Sequence, residues 1–300
     1  MQELIQVQKF SENEWLISGL YEGNPTASHL VIMVHDGGCN KDENGAFPVI
    51  VDGQIKKVNG SVVFREKEYG NYEILSNTLC LNAEFGVFRY DLRNYGYSRL
   101  DNNIDKRDML YERYAKDLRD IIKYLRGKYP FKKVSFVGTG VGALIIEYYL
   151  TKYLEIPRNM VAKVILICPN SPKIIDNGDS KYSFSYQKRD YILKTNRQFT
   201  KINGLYEGIK TLYEAENNYN LVIDYANMKI PTMFILSFQD KMYPWEILIQ
   251  EIGKMQEINS GIEVNLINQM TDTGAFHGIY DEENSYKMLS HIYEYLMTLD

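Results

Sequence analysis

The stretch Lys133-Val134-Ser135-Phe136-Val137-Gly138-Thr139-Gly140-Val141-Gly142-Ala143 decides the fold. Within its first five residues Val134, Phe136 and Val137 make a short stretch suited to a buried strand. Three alternating glycines follow, and then the apolar Val141 to Tyr153 run opens a helix. A strand that turns into a helix over so few residues needs glycines, because the two backbones approach each other closely there. A phosphate-cradling loop would use glycines in the same way. The spacing is not G-x-G-x-x-G, there is no P-loop lysine, and the strand is late in the chain rather than first, so nucleotide binding is set aside.

Working outward, apolar runs recur at His29 to His35, Gly86 to Tyr90, Val161 to Cys168, Thr232 to Ser237 and Ile262 to Ile267. Helical patterns lie between them at Asn71 to Asn82, Met109 to Lys128, Pro244 to Glu257 and Glu282 to Leu299. This alternation predicts an α/β fold, a mostly parallel central sheet flanked by helices. Two stretches break the rhythm. Cys39 to Tyr69 carries Pro48 to Asp52 and Gly60 to Arg65 around Val51-Asp52-Gly53-Gln54, and is expected to be an inserted hairpin or long loop. Asn170 to Asn227 is polar and tyrosine-rich, with helical patterns at Tyr186 to Arg197 and Gly204 to Glu216, and is expected to form a helical cap. The core is then residues 1–169 and 228–300.

The glycine turn has the architecture of a nucleophile elbow, G-x-S-x-G, matched at Gly138 and Gly142 and broken at the centre by Gly140. Four further segments follow in a telling order. His35-Asp36-Gly37-Gly38 ends a buried strand. Arg89-Tyr90-Asp91-Leu92-Arg93-Asn94-Tyr95-Gly96-Tyr97-Ser98 comes next, then Pro231 to Asp240 with Pro244, and finally Thr273-Gly274-Ala275-Phe276-His277 before the last helix. Together with the elbow, these segments resemble the α/β-hydrolase fold superfamily over nearly the whole chain outside the two insertions. The first resembles the superfamily's H-G-x-x oxyanion loop with Asp36 replacing a glycine, and the second its R-Y-D-x-R-G-x-G-x-S segment with Asn94 replacing a glycine.

The resemblance implies Asp240 as the acid that orients His277, His277 as the base, and the N–H groups of Gly37 and Val141 as the oxyanion hole, with His35, Asp36, Gly38 and Thr139 as further oxyanion or binding positions. Gly140 occupies the nucleophile position and offers no side chain. Thr139 is not a substitute, since the residue before the apex points elsewhere. Cys39 is expected to be an inert buried thiol.

Three classes of function follow. The His277 and Asp240 pair works as a general base on a substrate proton or a water. Alternatively, the chain is a non-catalytic relative that binds a ligand or a partner. In the third, Gly140 is a Ser-to-Gly inactivation of an esterase, thioesterase or peptidase-like hydrolase. The direction of the Asp36 side chain matters to all three, because an ionised carboxylate facing inward opposes a developing oxyanion.

Composition bounds the rest. The 300 residues carry a formal charge of −5, with basic residues dispersed, which gives no attraction to nucleic acid or an anionic membrane. No apolar run approaches the roughly 18 residues of a membrane span, and Met1 to Phe10 does not read as a secretory signal, so a cytoplasmic location is expected. Cys39, Cys80 and Cys168 make neither a disulfide framework nor a metal spacing. No cofactor or metal is implied, and the expected partner is a small-molecule or acyl substrate or ligand.

Overall fold

The structure is a computed structural model. It describes residues 1–8, 16–36, 39–43, 70–93, 97–98, 111–169, 221–238, 240, 245–267, 279 and 282–298, together with the backbone of short strands between 46 and 66. Eight strands form the central sheet: β1 (Gln2–Gln8), β2 (Leu16–Gly23), β3 (His29–Val34), β4 (Phe85–Tyr90), β5 (Lys133–Thr139), β6 (Val161–Ile167), β7 (Thr232–Ser237) and β8 (Ile262–Ile267). Their order is β1-β2-β4-β3-β5-β6-β7-β8. β2 is antiparallel to both neighbours, and every other pairing is parallel.

The described helices are α1 (Asn71–Leu79), α2 (Tyr111–Lys128), α3 (Val141–Lys152), α4 (Leu221–Asn227), α5 (Trp245–Ile258) and α6 (Glu282–Met297). They cover both faces of the sheet, so the parallel strands are buried on both sides and read as continuous apolar runs. Alternation along β3 shows the division. Leu30, Ile32 and Val34 belong to the core under α2, α3, α4 and α5, whereas Val31 and Met33 belong to the core under α1 and α6. On α2, Tyr114, Leu118, Ile121 and Leu125 make one apolar stripe at helical spacing, and each is fully buried.

The sequence reading missed β1 and β2, and the parallel strands and the helices agree with expectation to within a few residues. Between Cys39 and Tyr69, backbone pairs join 46–48 to 64–66, Ile50–Val51 to Gln54–Ile55, and Lys57–Val58 to Ser61–Val62. The described backbone of this stretch is thus paired as short antiparallel strands, and the residues between them, Asp52 and Gly53 included, lie outside the described residues. Residues 170–220, most of the expected cap and both of its helical patterns, lie outside the described residues. α4, at the end of that stretch, packs on α3 and α5, with Tyr225 and Ala226 buried in the main core.

The parallel register levels the C-terminal ends of the middle strands. Val34 lies beside Tyr90 and Gly138, Thr139 beside Ile167, and Ile167 beside Ile235. The loops carrying residues 35–36, 91, 140, 168 and 240 therefore open on the same edge, where ligands of parallel α/β sheets bind.

Candidate functional site

At that edge Gly140 forms the turn from β5 into α3, with φ 53° and ψ −111°. This backbone conformation strains any residue with a Cβ, and glycine adopts it readily. The Gly140 N–H donates to the Ile167 carbonyl at 2.9 Å, tying the turn to β6. The flanking glycines are sterically required. A Cβ on Gly142 would lie 2.0 Å from the Val34 carbonyl oxygen, and one on Gly138 would lie 2.6 Å from the Ile146 side chain and 2.8 Å from the Ala143 backbone. The elbow geometry is thus complete in its backbone, and α3 begins pressed against the end of β3.

Thr139 is buried, and its hydroxyl is 2.9 Å from that of Tyr72 on α1, which donates to the Val34 carbonyl, also at 2.9 Å. Its hydroxyl is thus engaged with α1.

The loop after β3 fixes the direction of Asp36. His35 is fully buried; its Nδ1 is 2.6 Å from the Asp36 carbonyl and its Nε2 accepts the Leu92 N–H at 2.9 Å. That pattern sets the Nδ1–H tautomer, and burial holds the imidazole below its usual pKa, so it is neutral. The Asp36 N–H donates to Glu43 Oε2 at 3.1 Å, and the Cys39 N–H donates to the Asp36 carbonyl at 3.1 Å. With its backbone held on three sides, Asp36 turns its side chain inward. Its Oδ1 accepts the Val141 N–H at 2.9 Å. This departs from what the resemblance implied for Val141, because the amide expected to face an oxyanion is occupied by the chain's own carboxylate. Gly37 and Gly38 lie outside the described residues.

Asp240 follows β7, is 7% exposed, and donates its N–H to the Ser237 carbonyl at 3.2 Å. Beside it is a residue the sequence reading did not single out for the site, Cys168. This residue directly follows β6 with φ 43°, an uncommon value for a residue with a side chain, and its N–H donates to the Ile235 carbonyl at 2.8 Å. Burial, the Asp240 carboxylate and Asp36 together hold the Cys168 thiol well above its ordinary range, which makes it a poor nucleophile. Only its place at the end of a core strand could have flagged it. His277 lies outside the described residues.

The arginine-rich segment proves to be scaffold. Asp91 accepts the backbone N–H groups of Lys41 at 2.8 Å and Tyr97 at 2.9 Å, and Arg93 makes a two-pronged ion pair with Asp117 of α2 at 2.9 and 2.7 Å. Arg89 pairs with Glu22 at 2.8 Å and with Asp42. These contacts anchor the loop that carries Asp36. Among the described residues no group of three His, Cys, Asp or Glu side chains could hold a metal, and no helix is long and apolar enough to cross a membrane.

Strand order, elbow and loop placement together define an α/β-hydrolase fold. A family model described as the alpha/beta hydrolase fold matches residues 62–201. The structure is similar to an esterase from Pyrococcus furiosus, at 16% identity and TM-score 0.62 over 99% of this chain and 91% of that one. It is also similar to an esterase from Exiguobacterium antarcticum, at 16% identity and TM-score 0.60 over 98% of this chain and 100% of that one. The Est1E protein of Butyrivibrio proteoclasticus, solved with ferulic acid bound, aligns at 11% identity and TM-score 0.62 over 98% of each chain. Comparison with curated proteins finds no match.

Proposed function

We propose that this chain is a hydrolase-fold protein that has left serine acyl transfer and uses the edge around Gly140 to bind a small-molecule ligand. The observation that carries the reading is Gly140 itself. It sits at the turn between β5 and α3 in the strained conformation that would present a nucleophile, and it has nothing to present. In a serine hydrolase, loss of the nucleophile costs on the order of a millionfold in turnover, leaving what the oxyanion hole and binding supply. Here the Val141 amide is already engaged, so that remainder is reduced too.

The similarity to esterases supports a small organic ligand rather than a macromolecule. The stretch 170–227 serves in this reading as the cap that sets access, and the protein works in the cytoplasm.

A second reading has support in Asp240, a buried carboxylate at the end of β7, where the acid of the fold belongs. With His277 it would form a general base for proton-transfer chemistry on the bound ligand.

The test is hydrolysis of a panel of activated esters and thioesters by the native protein and by Gly140→Ser. The expected outcome is no turnover by the native protein and less than a tenfold gain from the serine. Rapid native turnover, or a gain of a thousandfold or more, would overturn the reading and mark the glycine as a lesion in an intact hydrolase. If the second reading holds, the native protein turns over a proton-transfer substrate and His277→Ala abolishes that turnover.

A further inference from the structure

The cations of α2 differ in what they meet. Lys116 lies over the Tyr153 ring at 5.7 Å, Lys128 pairs with Glu3, and Arg119 holds Asp120 at 2.8 Å and Glu155 at 3.7 Å. Lys123 and Arg126 have no ion pair or hydrogen bond among the described residues. Arg119, Lys123 and Arg126 stand at i, i+4 and i+7, on one face of the helix, a spacing at which like charges repel. Packing does not demand this arrangement, because the stripe that α2 buries in the core runs through Leu118, Ile121 and Leu125.

That charged face forms one wall of a cavity of about 380 Å³ between α2, the last turn of α3 and the turn that follows α3. Small-molecule sites occupy roughly 300–1,000 Å³, so the space suits a ligand larger than a simple ion. Ile122 and Ile156, both buried, give it an apolar side. Its lining holds three cations against one carboxylate, and that carboxylate, Glu155, is turned to Arg119.

A buried polar group borders the same cavity. Tyr149 of α3 is fully buried, with its ring packed on Phe136 of β5 at 5.8 Å between centroids. Its hydroxyl has no hydrogen-bond partner among the described residues. Burial holds the phenol well above its usual pKa, so it keeps its proton, although Arg126, Arg119 and the Glu155 backbone lie near enough to pull the other way. A buried donor with no acceptor is costly, and proteins rarely leave one. An anion in the cavity would bring acceptor oxygens to this wall and countercharge to Lys123 and Arg126.

We propose that this cavity is a binding site for a small organic phosphate, taken as its dianion. Two uncommitted cations match two negative charges. The Arg126 guanidinium suits phosphate oxygens in pairs, and Lys123 adds a compact charge. The apolar side leaves room for the organic body. Tyr149 is nine residues, or about 13 Å, along α3 from Gly140, so this site is separate from the sheet edge and does not rest on how that edge is read.

The experiment is calorimetric titration at pH 7.5, above the second pKa of about 6 of a phosphate monoester. Phenyl phosphate, benzoate and inorganic phosphate are compared on three proteins: the native chain, the double variant Lys123→Gln with Arg126→Gln, and the double variant Lys254→Gln with Lys287→Gln. The last removes the same charge from α5 and α6, and all four positions are exposed, so both variants are expected to fold. The native protein is expected to bind phenyl phosphate at least tenfold more tightly than benzoate or inorganic phosphate. The α2 variant is expected to lose at least tenfold in that affinity, and the control variant less than twofold. Equal binding of benzoate overturns the phosphate assignment, and equal binding of inorganic phosphate overturns the organic part of the ligand. An undiminished affinity in the α2 variant, or an equal loss in the control, overturns the placement of the site on α2. If the native protein binds none of the probes, the whole proposal falls, and the reading of the Gly140 edge is untouched.

Discussion

At the scale of single residues, the three glycines after β5 do different work, and stability measurements should separate them. Gly140 needs its glycine for backbone conformation, at φ 53° and ψ −111°. Gly142 needs it for space, because a Cβ there would lie 2.0 Å from a backbone oxygen of β3. Gly140→Ala is therefore expected to cost about 1–3 kcal/mol, the usual cost of holding a side-chain-bearing residue in such a region. Gly142→Ala has to displace the strand end and is expected to cost ~3 kcal/mol or more. Urea unfolding of both variants checks the order, and a Gly142→Ala protein as stable as Gly140→Ala would contradict the close packing of α3 on β3. The need for glycines was legible in the sequence, since only glycine permits a strand to reverse into a helix so tightly. The direction of Asp36 was not. It depends on Glu43, Cys39 and His35 acting together on one short loop, and no local pattern encodes that. The position of His277 lies outside the described residues, so its place rests on the resemblance alone.

At the scale of elements, the parallel strands were readable because helices cover both their faces, which leaves long apolar runs. β1 was not, for the opposite reason, and β2, although buried, carries Ser18, Gly19 and Glu22 among its apolar residues and so forms no continuous apolar run. β1 is an antiparallel edge strand with Ile5 and Val7 buried and Leu4 61% exposed, so its sequence alternates and never forms an apolar run. The stretch Cys39 to Tyr69 reads in the sequence as an inserted hairpin or long loop, because its apolar runs are short and Asp52-Gly53 is its one strong turn signal. The segment around Arg93 resembles a family motif, and its use is structural: the guanidinium fixes the loop after β4 to Asp117 in the middle of α2, with both side chains almost fully buried. Removing one partner leaves a charge without compensation in the core, so Asp117→Ala is expected to destabilise the fold by about 3–5 kcal/mol. Replacing both partners with apolar residues of similar size should restore much of that loss. A thermodynamic cycle over the two single variants and the double variant tests this, and additive losses would show that the pair is not coupled.

At the scale of the whole molecule, two buried groups give the stability a pH dependence with opposite slopes. Burial, with Lys133 and Lys163 nearby, lowers the His29 pKa from 6.5 to about 4; its Nε2 is 2.9 Å from the Ser135 hydroxyl. The unfolded chain binds this proton more readily than the folded one, so the stability His29 contributes is present above pH 6.5 and lost as pH falls through about 4. Glu147 on α3 behaves in the reverse sense. Burial, and then the charge of Glu251 on α5, raise its carboxyl from 4.5 to about 8. The folded chain holds that proton more tightly, so its contribution is full below pH 4.5 and is lost as pH rises through about 8. Between pH 4.5 and 6.5 the two slopes oppose each other. Between 6.5 and 8 Glu147 acts without that opposition, and the native protein is expected to lose stability as pH rises across this window. Glu147→Gln removes the ionisation while keeping the shape, and should flatten the slope there without changing the acid limb set by His29. Melting temperatures of the native and Glu147→Gln proteins at half-unit steps from pH 4 to 9 check both limbs. Parallel curves above pH 6.5 would mean that the carboxyl on α3 is already ionised in the folded protein, and that the helix bearing the elbow tolerates a buried negative charge.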